Sequence, residues 1–282
     1  MSEAITPLTR AEIRRYAQRR TKGDGTRLEW HGYKVYSQSD EDGIIARIFS
    51  LIGTTDRRFV EFGCEGGLEN NTHYLLEQGW KGLWMEGNPN YAPGVREAFS
   101  TQIASGQVQF RETFVTPANI NTILEESGFT GEIDFLSIDI DSNDHHVFAA
   151  IQAISPRVVC LEHNHTYPPG VAWEMPYDAE FRWDPTSGIA PYGASITSMA
   201  ALAERKGYVL VGCGPHSATP PAPSRRNGCS TPSNMTGSCD IRWAWSRPWN
   251  PSRPTSGSAR GERSDCRAGA GGAGCCDRFA SS

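Results

Sequence analysis

From Arg58 to Val211, short apolar runs alternate with helical stretches, and this rhythm constrains the fold more than any other feature of the chain. The runs are Arg58–Phe62, Gly82–Glu86, Val108–Phe110 with Thr113–Val115, Ile133–Asp139, Arg157–Glu162 and Tyr208–Val211. Their length and continuous apolar character predict strands buried on both faces. Between them, residues 70–78, Asn119–Ser127, Asp144–Ile154 and Ser195–Lys206 predict helices, the last ending at Gly207. Strand–helix alternation implies a mostly parallel sheet with helices on both faces, a Rossmann-like α/β fold. Right-handed crossovers then put the strand C-termini, and any ligand, along one edge.

The flanks differ. Thr9-x-x-Glu12 is a capping box that opens a helix through Arg20, and Gly23–Gly25 is a turn. Ser39 or Asp40 would cap a second helix containing Ile44–Phe49. Residues 1–35 therefore form a helical extension and 36–213 the main domain. Within it, the interval 164–192 is long and rich in proline and aromatics (Tyr167, Trp173, Tyr177, Phe181, Trp183, Tyr192), as expected of a lid over a substrate pocket. Beyond Val211 there is no Leu or Val, and Ile241 is the only Ile. Residues 214–282 cannot bury enough apolar area to offset the entropy of ordering them. The expectation is a disordered tail, or an out-of-frame reading of a GC-rich gene. Ile241–Trp245 could at most mimic a short strand.

The net charge of −5 hides an asymmetry. Nine Arg against four acids give 214–282 a charge of +5, which leaves −10 on 1–213. So acidic a domain argues against a nucleic-acid partner and suits a small-molecule enzyme. The first 29 residues contain no apolar run, and no stretch is long enough to span a membrane, so a cytoplasmic location is the default expectation. The tail cysteines form no CxxC pair, and Cys64, Cys160 and Cys213 lie in or beside strands, where buried free thiols are expected.

The strongest chemical signal is Glu61-Phe62-Gly63-Cys64-Glu65-Gly66-Gly67, a strand running into a glycine turn ahead of a helix. Gly63 permits the tight turn, while Gly66 and Gly67 let a ligand approach the backbone. The spacing is not G-x-G-x-x-G, so a dinucleotide fingerprint is unsupported. An acid before the turn suits a cationic amino-acid cofactor instead. Glu86, at the end of the next strand, can accept hydrogen bonds from a ribose diol. The fourth strand ends in Asp139-Ile140-Asp141-Ser142-Asn143-Asp144-His145-His146. Alternation sends Asp139 and Asp141 to one face, where with Glu162 they offer hard oxygen ligands for Mg²⁺ or another divalent ion. Asp144 reads as a helix cap. His145, His146, His163 and His165 are candidate general bases near neutral pH.

These motifs come together in one resemblance. Ser37-Gln38-x-x-Glu41-Asp42, Val60-Glu61-Phe62-Gly63, Asn71-Thr72, Gly79-Trp80-x-Gly82-x-Trp84-x-Glu86 and Phe135-Leu136-Ser137-Ile138-Asp139-Ile140-Asp141-x-Asn143-Asp144 resemble the FkbM-type methyltransferases, in particular a bacterial subgroup, over Tyr36–Cys213. The resemblance implies a class I methyltransferase fold that binds S-adenosylmethionine, with cofactor contacts carried onto Glu61, Gly63, Glu86 and Asp139. Ser142 departs from the pattern, which usually has glycine there. The resemblance also implies a seventh strand after the sixth, which the composition of 214–282 leaves missing or aberrant.

The function to be expected is O-methylation of a hydroxyl on a sugar or small metabolite. Asp139, His145 or His163 would serve as base, Gly66 would approach the cofactor, and Asp139, Asp141 and Glu162 would hold any metal. Two rivals stand beside it. Asp139-Ile140-Asp141 is also the DxD of metal-dependent glycosyltransferases, and the fold could persist as a non-catalytic binding module.

Overall fold

A computed structural model describes residues 28–164, 167, 169–181, 192–213 and 241–246. The predicted alternation forms as expected. A single 3-10 turn (Leu28–His31) precedes helix α1 (Glu41–Ile52), strand β1 (Arg58–Phe62), α2 (His73–Glu77), β2 (Lys81–Glu86), α3 (Ala92–Ala98), α4 (Ser100–Ala104), β3 (Val108–Glu112), α5 (Ile120–Glu126), β4 (Gly131–Ile138), α6 (Asp144–Ala150), β5 (Ile154–His163), α7 (Ile196–Arg205), β6 (Val209–Cys213) and β7 (Ile241–Ser246). The sheet order is β3-β2-β1-β4-β5-β7-β6. The first five strands are parallel. The predicted helix over Thr9–Arg20 lies outside the described residues.

Side-chain alternation divides the core between the two faces of the sheet. Phe59, Trp84, Phe135, Val158 and Cys160 pack on one face against Ile44, Ile48 and Phe49 of α1 and Leu75 and Leu76 of α2. Val60, Phe62, Leu83, Met85, Leu136, Ile138, Val159 and Leu161 pack on the other against α5, α6 and α7. Trp84, Phe59, Phe62 and Phe135 are fully buried, and each such side chain contributes on the order of 2 kcal/mol by leaving water.

Two expectations are corrected. The seventh strand is present: Ile241–Ser246 inserts between β5 and β6 and pairs antiparallel with both. The tail composition concealed this because strand pairing needs only a short extended segment, and unpaired edges on β5 and β6 give it partners. The rest of 214–282 lies outside the described residues. Helices α3 and α4 were not among the expected elements. Pro93 occupies the first turn of α3, where its missing N–H costs nothing, and Val95 and Phe99 anchor the segment in the core.

At the N-terminal ends of the strands, Asp134 is 0% exposed and organises the approach to β1. It accepts hydrogen bonds from the Thr55, Asp56 and Arg57 amides and from Arg157 Nη1 at 2.6 Å. Arg157 also donates to the Gly53 and Ile52 carbonyls at the end of α1. This buried clamp ties α1, β1, β4 and β5 together at the edge opposite the strand C-termini.

Candidate active site

The C-terminal ends of β1, β2 and β4 are laced by main-chain bonds from Gly63 N to Met85 O (2.9 Å) and from Asp139 N to Phe62 O (3.2 Å). Gly63 has φ +71°, and any Cβ there would collide with the Asp139 carbonyl oxygen. No larger residue fits this crossing of strand ends. A Cβ on Gly66 would meet nothing within 4 Å, so the turn presents bare backbone to open space, as a close-fitting ligand requires.

Glu61 and Glu86 have different tasks. Alternation sends Glu61 to the face of Phe59, beneath α2, where it is 1% exposed. It accepts from Asn71 N (3.0 Å) and Thr72 Oγ1 (2.5 Å). Trp84 Nε1 donates in turn to Thr72 Oγ1. Glu61 thus fixes the glycine turn to α2. Glu86 ends β2 at the site edge and accepts from Glu65 N (2.8 Å) and Asn88 N (2.7 Å). The Tyr91 hydroxyl lies within the fields of Glu65, Glu86 and Asp141, and its pKa is raised first by Glu65 and then by burial. Three carboxylates thus act together on Tyr91 beside the turn. That field favours a cationic sulfonium and repels a pyrophosphate.

The second group of acids is not the one expected. Asp139, Asp144 and Glu162 bring carboxylate oxygens within 4.8 Å of one another. Asp141 is not among them. Both Asp141 (φ +52°) and Ser142 (φ +101°) adopt left-handed backbone, which breaks strand alternation just past β4. The charge of Asp141 is felt at Tyr91, while Asp144 accepts from Ile140 N and Ser142 N (both 3.1 Å). Asp144 is 1% exposed. Burial, and then the charge of Asp139, raises its pKa to about 7. His163 is buried at the end of β5, one residue past Glu162 and so on the other face of the strand. His165 lies outside the described residues.

The described part of the expected lid docks on this turn. Asn143 Nδ2 donates to Asp178 O (2.9 Å), and Asp178 N returns a longer bond to Asn143 Oδ1. His146 Nε2 meets Met175 O at 2.8 Å, and its ring packs edge-on to Tyr177. On the other side, Asn164 N bonds to Ala194 O and Asn164 Nδ2 to Tyr192 O. Sequence reasoning placed Asn143 and Asn164 near the strand ends but did not foresee these clasps; no spacing marks an asparagine that clasps a distant main chain.

Residues 55–210 match the Methyltransferase FkbM domain, more than half of the 282-residue chain. The chain belongs to the FkbM methyltransferase family. It is a methyltransferase dependent on S-adenosylmethionine. Among solved structures, the methyltransferase is similar to the O-methyltransferase from Bacillus cereus in complex with SAH (18% identity, covering 55% of this chain and 67% of that one, TM-score 0.37). It is also similar to an S-adenosylmethionine-dependent methyltransferase from Clostridium acetobutylicum (10%, 72% and 89%, TM-score 0.41). A third similar structure is the N-terminal domain of EvdMO1 in the presence of SAH and D-fucose (14%, 86% and 97%, TM-score 0.43). No curated protein matches the sequence. Among the described residues, no helix is long and apolar enough to cross a membrane.

The methyltransferase should depend on Glu86 for its cofactor. Glu86→Ala is expected to weaken S-adenosylhomocysteine binding by about 1.5–3 kcal/mol, the loss of hydrogen bonds to a charged acceptor. Calorimetric titration of the variant against wild type checks this, and equal affinities would leave Glu86 as a loop anchor only.

Proposed function

We propose that the protein methylates a hydroxyl of a sugar or similar small metabolite, and that Asp139, Asp144 and Glu162 receive the hydroxyl proton. The observation that supports this is the raised pKa of Asp144 within a buried group of carboxylates beside the cofactor edge. A general base works best when its pKa lies near the working pH, and burial moves Asp144 toward that range. The acceptor oxygen forms the new O–CH₃ bond as the S–CH₃ bond breaks. The bonding pair leaves with sulfur to give neutral S-adenosylhomocysteine, and the hydroxyl proton passes to the Asp144 carboxylate. Aligned attack supplies most of the remaining acceleration. The lid segment over Asn143 and His146 excludes water from the reacting methyl group.

A second reading assigns the same group to a divalent cation, and the convergence of three hard oxygen donors favours it. Asp139, Asp144 and Glu162 would hold the ion, with Asp144 in the place expected for Asp141. The ion would lower the pKa of a hydroxyl bound near it. A sugar-nucleotide glycosyltransferase has less support, because Asp141 stands apart from the gathered carboxylates and the surroundings of Tyr91 are acidic.

The test is release of S-adenosylhomocysteine across a panel of hydroxylated metabolites, run with and without chelator. Turnover of hydroxyl acceptors is expected, and turnover of amine or thiol acceptors alone would refute the proposal. Full activity in excess chelator is expected if the carboxylates take the proton directly. Loss in chelator with recovery in Mg²⁺ or Mn²⁺ would assign the group to the ion.

A further inference from the structure

The motif Ser37-Gln38-x-x-Glu41-Asp42 closes a hook of residues 33–42, ahead of the residues (55–210) that match the family domain. One carboxylate oxygen, Asp42 Oδ2, accepts from three consecutive amides: Val35 N (2.7 Å), Tyr36 N (2.7 Å) and Ser37 N (2.9 Å). Asp42 N donates in return to Ser37 Oγ (3.2 Å), and Ser39 N donates to Glu41 Oε2 (3.0 Å). Tyr33 N donates to Asp40 O, and Tyr33 O accepts from Gly43 N. Asp42 is 2% exposed. A charged acceptor shared by three donors fixes the shape of the hook.

The hook rests on the segment that carries the glycine turn into α2. The Tyr36 ring stacks on His73 at 3.7 Å, with 20° between the planes. Lys34 Nζ bonds to Glu69 Oε1 (2.8 Å) and, across the hook, to Gln38 O. The Lys34–Glu69 pair is exposed and contributes little, so the stack is the stronger link. Burial lowers the His73 pKa to about 4, so the stacked ring is neutral at physiological pH. His73 meets Phe99 edge-on (5.0 Å), and Phe99 meets Trp84 edge-on (4.7 Å). Phe99 and Trp84 close on Gly67, where a Cβ would lie 2.8 Å from the one ring and 3.1 Å from the other. Four rings thus join the hook to the glycine turn. Residues 63–72 contain no helix or strand, and Glu65 has φ +48°, so the shape of the turn depends on what packs against it.

We propose that Asp42 is a positioning residue for S-adenosylmethionine: it holds the hook in shape, the hook holds His73 through Tyr36, and the ring ladder holds the turn 63–67 in the form that binds the cofactor. The proposal concerns the cofactor alone and is independent of which group accepts the methyl. By reciprocity, a hook that favours cofactor binding is itself steadied by the bound cofactor, and a purely structural fastening is not.

The experiment titrates the full chain and its Tyr36→Ala, Tyr36→Phe and Asp42→Ala variants with S-adenosylhomocysteine by calorimetry, at a temperature where circular dichroism shows them folded. Tyr36→Ala is expected to weaken binding about three- to tenfold, the worth of one ring pair. Tyr36→Phe, which keeps the ring, is expected to restore it. Asp42→Ala, which frees all three amides, is expected to weaken binding by roughly tenfold or more. Hydrogen exchange separates positioning from support. In wild type, S-adenosylhomocysteine is expected to slow exchange of the Val35, Tyr36 and Ser37 amides, and in Tyr36→Ala to slow it less. If Asp42→Ala does not fold, the two Tyr36 variants and the exchange measurement decide. Wild-type affinity in Tyr36→Ala would overturn the proposal, as would a Tyr36→Phe variant that binds as weakly as Tyr36→Ala. Exchange at 35–37 that S-adenosylhomocysteine leaves unchanged would also overturn it, and the hook would then be a structural fastening only.

Discussion

Asp134→Ala should lower the unfolding free energy by about 3–5 kcal/mol, because it strands a buried guanidinium that has lost its carboxylate. Arg157 is only 14% exposed, and Asp134 is its ion-pair partner. Its remaining bonds, to the Gly53 and Ile52 carbonyls, leave its charge uncompensated. The same substitution frees the Thr55, Asp56 and Arg57 amides. In a domain of this size the loss corresponds to a fall in Tm of roughly 10 °C. Thermal denaturation followed by circular dichroism measures it. Because the clamp lies at the N-terminal ends of the parallel strands, S-adenosylhomocysteine affinity below the transition should be unchanged. A Tm within a degree or two of wild type would show that Asp134 and Arg157 do not bear the load assigned to them.

Asp144→Asn should reduce methyl transfer about 10²–10⁴-fold, the usual worth of a general base, and leave cofactor affinity within a few-fold of wild type. Asparagine preserves the shape but keeps an acceptor for only one of the Ile140 and Ser142 amides, which bond to different Asp144 oxygens, and it cannot take a proton. The sign of the pH dependence follows from the direction of the shift. A carboxyl raised to about 7 is protonated, and inactive as a base, below neutrality, so wild-type transfer should rise as pH increases through about 7. For stability the sign is opposite. The folded state holds a proton that the unfolded state would release near pH 4, so this group's contribution is present below about pH 4 and is lost as pH rises through about 7. A flat wild-type rate profile between about pH 5.5 and 8, or an Asp144→Asn variant of near-normal rate, would remove Asp144 from the proton path.

The parts of the site legible in the sequence were those set by strand ends. Gly63 and Glu86 were marked by apolar runs that stop at the sheet edge, and the parallel sheet followed from runs too apolar to be half-exposed. The anchoring of Glu61 to α2 was not foreseen although it could have been read. Glu61 shares parity with Phe59, so it points beneath α2 with the core, and Asn71 and Thr72 are there to receive it. The exchange of Asp141 for Asp144 could not have been read. It depends on two consecutive non-glycine residues with positive φ, and nothing in their side chains announces that conformation. Strand β7 was hidden for another reason: backbone pairing with β5 and β6 places it, and pairing leaves no compositional mark on so short a segment. The asparagine clasps of the lid, Asn143 to Asp178 and Asn164 to Tyr192, join residues 35 and 28 positions apart, beyond the reach of local pattern.

Calorimetric titration of the full chain with S-adenosylhomocysteine addresses the central claim most directly, since every chemical step assigned here requires the cofactor at the Gly63–Gly67 turn. One molecule per chain is expected to bind, with affinity reduced by Glu86→Ala and unaffected by Asp134→Ala. A folded sample that gives no binding heat at high protein concentration, and no thermal shift with either S-adenosylmethionine or S-adenosylhomocysteine, would contradict it.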